Sequence, residues 1–275
     1  MSVVSYRGKN YVAPDGWHEC SPLLWGCLVP FSRLPAEQIT EDIKMLAAQL
    51  WLQVPDKAWR KWRLGPVEWA MLCQQFEWIW TPPTVRPFAE FKHEGILYHV
   101  FDEDFSDSSA LETSMGLMEY MAFTHPDEPD VSAFERILAT FCRPTRPDLA
   151  RFRDSDDWNG DVRKPYNEIE AGYRAAALVR LPEPLRLALF DYFERSAKAF
   201  LHQYDRIFGG DPSEEPRYPD GRGWLMLLKN VAKDGHFGNF DQVGRQPAHL
   251  VWAAMLDDVL IQEEIANQQE ETSYE

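Results

Sequence analysis

The groups in this chain that could move a proton crowd towards its end, where His236 and His249 are accompanied by Asp241, Asp257 and Asp258. Brought together by the fold, they would supply a general acid and a general base. Two histidines beside a helical hairpin more commonly cap helices or fill gaps, and Asp257 and Asp258, as neighbours on a helix, point in different directions. The other histidines, His18, His93, His99, His125 and His202, are scattered, and none forms the HExxH spacing of a zinc hydrolase. GxSxG and GxGxxG are absent. The loop GGDPSEEPRYPDGRG, 209–223, lacks the GxxxxGK[ST] order that cradles phosphate. In SDDWNGD, placing Gly160 sixth in a calcium loop puts Ser155 first and Tyr166 twelfth, where a carboxylate and a bidentate Glu are needed. The expectation is no catalytic residue, no metal ligand and no cofactor.

Composition narrows the class further. The 275 residues carry a formal net charge of -16, which opposes binding to phosphate backbones or anionic lipid. With 11 Trp, 10 Tyr and 16 Phe the chain has ample material for a packed core. Cys20, Cys27, Cys73 and Cys142 form no CxxC pair and sit in apolar or helical sequence, as buried free thiols of a reducing compartment do. MSVVSYRGKNY lacks the charged and apolar regions of a signal peptide, and no run of 18 apolar residues occurs. The expected location is the cytoplasm, with neither a membrane nor a nucleic acid as partner.

The elements that must position these groups begin with an internal repeat. Gly8, Tyr11, Asp15, Trp17, Glu19 and Ser21 recur as Gly95, Tyr98, Asp102, Phe105, Asp107 and Ser109. Each Gly supplies the positive φ of a tight hairpin turn and each Ser a helix N-cap, so the repeat predicts two hairpins that each run into a helix. Leu34 and Pro35 open a further helix with Ile39, Ile43, Leu46, Ala47 and Leu50 on its apolar face. A helix from about Pro66 buries Trp69, Leu72, Cys73, Phe76, Ile79 and Trp80, and TPPTVRP ends it. After the second hairpin, Phe134, Ile137, Leu138 and Phe141 give a short helix, and the Arg143, Arg146, Arg151, Arg153 run is followed by Asp154, Asp156, Asp157 and Asp161, opposite blocks that neutralise one another or stay solvated. From Tyr166 the pattern is helical: one helix carries Ile169, Tyr173, Ala176 and Ala177; the longest runs from Pro182 and Pro184 to Gly209. Another ends at Asp234 and Gly235, and a last one starts at Pro247 and frays into an acidic tail over its final dozen residues.

Two stretches could bind a partner. Lys57, Arg60, Lys61 and Arg63 with Trp59 and Trp62 have the composition of a stacking and phosphate surface, although the plainer reading puts the rings in the core and the cations in solvent. Ser109 and Glu112 form a capping box, after which Leu111, Met115, Met118 and Met121 make one adaptable stripe; methionines at helical spacing are more often core, but with Trp252 and Met255 of the last helix these are the candidate protein-binding residues.

YRGKNYVAPDGWHECS, KHEGILYHVFDEDFSD before a Met-rich helix, AFERILATFCRP and the closing WLMLLKNVAKDGHFGNFDQV…LVWAAMLDD together resemble uncharacterised proteins encoded among phage and prophage tail genes, of the tail-assembly-chaperone-like kind. The resemblance implies a protein partner, namely a phage tail protein, and carries no catalytic residue with it. The predicted fold is mainly α (α+β), a helical bundle with two short β-hairpins and a repeated hairpin-helix unit. It divides into hairpin-helix units at 1–85 and 86–145, a loop or linker at 146–164, and a C-terminal helical bundle with an acidic tail at 165–275. The expected function is a non-catalytic assembly chaperone or adaptor in the cytoplasm of the bacterial host cell. The alternatives are a structural subunit of a phage or phage-like tail particle, which would place it on the particle, and an enzyme with a site near His236 and His249. Neither the oligomeric state nor the identity of the partner follows from the sequence.

Overall fold

The computed structural model describes residues 1–156, 158–208, 218, 221–235 and 237–273, with side chains up to 269 but not that of Phe208. It is 60% helical, with twelve helices and two small antiparallel sheets among the described residues, a mainly α, α+β fold. The chain forms two compact units: residues 1–88 with 181–192, and residues 89–180 with 193–275. This grouping puts the second hairpin-helix stretch, the 146–164 stretch and most of the C-terminal helices around one core.

In the first unit, β1 (Ser2–Tyr6) and β2 (Lys9–Ala13) pair through the two-residue turn Arg7 and Gly8, with φ of 50 and 75. Positive φ at both positions is the turn whose twist matches paired strands. A 3-10 turn at Trp17–Glu19 leads to α1 (Pro22–Leu28), capped by Ser21, whose hydroxyl accepts the Leu24 N–H. Next come α2 (Glu41–Trp51), α3 (Asp56–Trp59) and α4 (Pro66–Gln75). The helix expected from Leu34 starts only at Glu41, because Thr40 caps it, and Ala36–Gln38 is a separate 3-10 turn. Its buried face is Ala47, Ala48 and Trp51, which turns Leu46 outward. Trp17, Trp25, Trp51, Phe76 and Ile79 form the core, where the indole N–H groups of Trp17 and Trp51 donate to the carbonyls of Thr81 and Pro14 at 2.9 and 2.8 Å. Residues 181–192 complete this unit. Gly26 lies so close to Pro184 that a Cβ there would meet its carbonyl oxygen at 1.6 Å, and Arg33 pairs with buried Asp191 at 2.6 Å.

The second unit repeats the plan. Here β3 (Glu90–His93) and β4 (Ile96–His99) turn through Glu94 and Gly95, with φ of 49 and 80. A 3-10 turn at Glu103–Phe105 precedes α5 (Ala110–Phe123), capped by Ser109 and Glu112. Then follow α6 (Ala133–Phe141), β5 (Arg143–Pro144), α7 (Leu149–Arg153) and α8 (Glu168–Leu178). The helix α9 (Glu183–Gln203) contributes its later residues, and α10 (Gly223–Asp234), α11 (Phe240–Arg245) and α12 (Ala248–Ser273) close the unit. Three elements were not expected, one of them α7, which forms inside the stretch 146–164 read as a loop or linker. β5 adds a third strand to β4, and α11 occupies the supposed turn, started by Asn239 capping Gln242. At 26 residues α12 is longer than α9, and it stays helical to Ser273 instead of fraying, in keeping with the good helix propensity of Glu and Gln. Phe101, Phe105, Phe141, Phe193 and Phe200 stack into the core at centroid distances of 4.9 to 5.9 Å. Among the described residues no helix is long and apolar enough to cross a membrane.

Candidate functional site

The methionine stripe lies on α5, which packs against α6 and the C-terminal helices. Leu111, Met115 and Met118 are half-buried. Leu111 fits against Gly244 of α11, where an added Cβ would stand 3.2 Å from its own, and Met118 lies beside Gly221. Met121, at 39% exposure, takes the indole N–H of Trp224 on its Sδ at 3.2 Å. Trp252 and Met255 are buried, the former between Phe200 and Trp224. The chain's own helices therefore cover most of this surface, leaving Met121 as its accessible part.

Nor do the proton-transfer candidates gather. His236 lies outside the described residues, and Asp241, Asp257 and Asp258 are exposed. His249 has both ring nitrogens engaged, Nδ1 with the Tyr204 hydroxyl at 2.8 Å and Nε2 with the Asp104 carbonyl at 2.6 Å. A carbonyl oxygen can only accept, so Nε2 donates to Asp104, and Nδ1 faces the Tyr204 hydroxyl. This imidazole ties α12 to the turn at Asp104 and Phe105, two non-glycine residues held at φ of 55 and 60. Asp157 of the rejected calcium loop also lies outside the described residues, and no group of three metal-ligating side chains occurs among those described. In the basic stretch, Trp59 and Trp62 pack against the first core, with Trp62 stacked on Tyr6 at 4.2 Å, while Lys57, Arg60, Lys61 and Arg63 are exposed.

One dense set of charges is buried. Arg143 and Arg163, both 1% exposed, hold Glu112 at 2.5 and 3.3 Å and Asp161 at 2.9 and 2.7 Å. Arg163 also reaches Asp107 at 3.0 Å and donates to the Phe141 and Asp107 carbonyls. Desolvation pushes the Asp107 carboxyl up to about 6 against the pull of Arg163. Burial works against the Arg163 charge, but Glu112, Asp107 and Asp161 outweigh it and raise its pKa. Cys142, beside these arginines, is pushed up to about 12 by burial despite their charge. The ion set ties the 161–163 loop and the end of α6 to the capped start of α5. Arginine runs usually signal solvated surface, so composition concealed the burial; the expected cancellation of opposite blocks does occur between Arg143 and Asp161.

The first unit has an open surface that sequence reasoning missed. Between α1 and the end of α2, Leu23, Leu24, Cys27, Leu50, Gln53 and Val54 line a groove of about 340 Å³. Leu23 at its rim is 52% exposed, and Met45 and Leu46 on α2 are 42% and 46% exposed. Cys27 is a free thiol whose pKa is raised by burial. The signal lay in α2, which has more apolar positions than one buried face can use; only the observed rotation of the helix shows which are left over. The groove can take apolar side chains and offers no set of converging ionisable groups. No family model, curated protein or solved structure matches this chain.

Proposed function

We propose that this protein is a non-catalytic protein-binding factor of phage tail assembly, a cytoplasmic chaperone or adaptor in the bacterial host that shields an apolar helical segment of a tail protein. The observation that carries the reading is the groove between α1 and α2, apolar and edged by the exposed Leu23. An amphipathic helix seats side chains spaced three and four apart in such a groove. The net charge of -16 keeps a complex soluble while apolar surface is being handled. The likeness of the hairpin-helix repeat to tail-region proteins supplies the biological setting.

Co-expression with phage tail proteins followed by size exclusion tests it. A co-eluting complex lost on Leu23→Asp is the expected result. A complex indifferent to that change would remove the groove from the reading, and failure to associate with any tail protein would remove the function. A structural subunit would instead remain in stoichiometric copies in purified particles, where a chaperone is lost. An enzyme centred on His236 and His249 would need a free imidazole at His249, whose ring nitrogens are both occupied.

A further inference from the structure

Six cations of the first unit gather without acids to match them. The hairpin 2–13 and the stretch 57–67 carry Arg7, Lys9, Lys57, Arg60, Lys61 and Arg63 and no Asp or Glu, in a chain whose formal net charge is -16. The fold brings the two stretches together. Tyr6 stacks on Trp62 at 4.2 Å, its hydroxyl accepts the Arg63 main-chain N–H at 2.6 Å, and Tyr11 meets Trp62 edge-on at 5.2 Å. Lys9 is the cross-strand partner of Tyr6 and projects from the same face, while the Arg7 guanidinium lies over the Tyr6 ring, 5.3 Å from its centroid. All six cations are exposed.

Elsewhere Lys44, Arg136 and Arg180 each hold a carboxylate at 2.7 Å. Among the described residues, Arg60 is the one member of the six with such a partner, Asp56 at 3.7 Å. Arg63 donates to the main-chain carbonyls of Arg60 and Trp62, which fix its guanidinium without neutralising it. Like charges clustered on one surface repel, and a bound anion relieves that repulsion.

The rings and the remaining charge say which anion fits. A long polyanion or an anionic membrane would also lie against the acidic remainder of the chain and be repelled. Nucleic acid draws on base stacking as well as charge, whereas Tyr6, Tyr11, Trp59 and Trp62 are packed on one another and on the first core. A short acidic stretch of a protein meets only the cations, and its carboxylates suit the guanidinium fork. We propose that Arg7 and Lys9 of the first hairpin, with Lys57, Arg60, Lys61 and Arg63, form a docking surface for a short acidic segment of a partner protein. This surface shares no residue with the groove between α1 and α2, and the inference stands whether or not the chain serves tail assembly.

Fluorescence anisotropy of a labelled octaglutamate peptide titrated with the full chain, at about 50 mM and about 500 mM salt, tests the proposal. The expected result is saturable binding at low salt that weakens at least about tenfold at high salt. Lys9→Glu combined with Lys61→Glu, one change in each stretch, should also weaken it at least about tenfold. Lys229→Glu combined with Lys233→Glu, at exposed positions of α10, makes the same change in net charge and should leave the affinity within about twofold. No binding at low salt, equal losses in the two double variants, or tighter binding of a matched oligothymidylate or of phosphatidylglycerol vesicles would each overturn the proposal. Circular dichroism of the variants separates loss of binding from loss of fold.

Discussion

The carboxylate of Asp107 accepts the main-chain N–H of Asp102 at 3.0 Å, and at the matching place in the first unit Glu19 accepts that of Asp15 at 2.8 Å. One bond thus closes the turn from hairpin to helix in both repeats. Around it the two acids live differently. Glu19 is held below the usual carboxylate range, first by that amide hydrogen bond, whereas desolvation lifts Asp107 to about 6.

This contrast fixes a sign for pH dependence. Asp107 binds its proton more tightly in the folded chain than at the ordinary value near 3.8. The stability it contributes is complete below that value and is lost as pH rises through about 6. Asp107→Asn removes the step, so in urea titrations the variant should gain on the parent by up to about 2 to 3 kcal/mol between pH 4 and pH 7. A constant difference across that range would show that Asp107 does not titrate there.

Removing one partner of the buried ion set should be far more costly than removing an exposed pair. Arg163→Met leaves buried Asp107 without its cation, and Glu112 and Asp161 with Arg143 alone, and is expected to destabilise the protein by about 3 to 5 kcal/mol. Arg180→Met, which breaks an exposed pair with Glu94 at 2.7 Å, should cost no more than about 1 kcal/mol. Denaturation of both variants at neutral pH checks the ranking.

Glycine substitutions separate turn strain from steric collision. Gly8→Ala and Gly95→Ala place a Cβ at positive φ in open space, and each should cost about 1 to 2 kcal/mol. Gly26→Ala drives a methyl into the Pro184 carbonyl and should prevent residues 181–192 from docking in the first unit, exposing indoles that report by fluorescence. If Gly26→Ala melts like the parent, the close approach is not a constraint.

Thiol reactivity reads burial directly. Burial pushes both Cys20 and Cys142 up to about 12, so neither should react with a disulfide reagent at pH 8 in the folded chain, and all four cysteines should react after denaturation. Fast labelling of Cys142 in the native state would show that the ion set around it opens.

Much of the fold was legible because its local signals are strong. The repeat, the caps at Ser21 and Ser109, and the limits of α10 at Gly223 and Gly235 follow from single residues with few conformational options. What escaped depends on contacts distant in sequence. Arg143 and Pro144 are a strand only because β4 offers an edge. Arg163 is buried only because Glu112 and Asp161 meet it. The apolar stripe of α5 was visible, and so was its leaning towards the core, but not which elements, Trp224 and the Gly244 facing Leu111, would cover it; Ile169 and Tyr173 have a core-like periodicity although they face outward. Periodicity identifies an apolar face; it does not identify which chain covers it.

Because residues 181–192 belong to the first unit, its core cannot be finished in the order of synthesis. A nascent chain that has emerged only to Phe88 has its tryptophans but lacks Ala188, the carbonyl of Pro184 beside Gly26, and the Asp191 that Arg33 binds. The amino-terminal core is complete only once residues 181–192 have also left the ribosome.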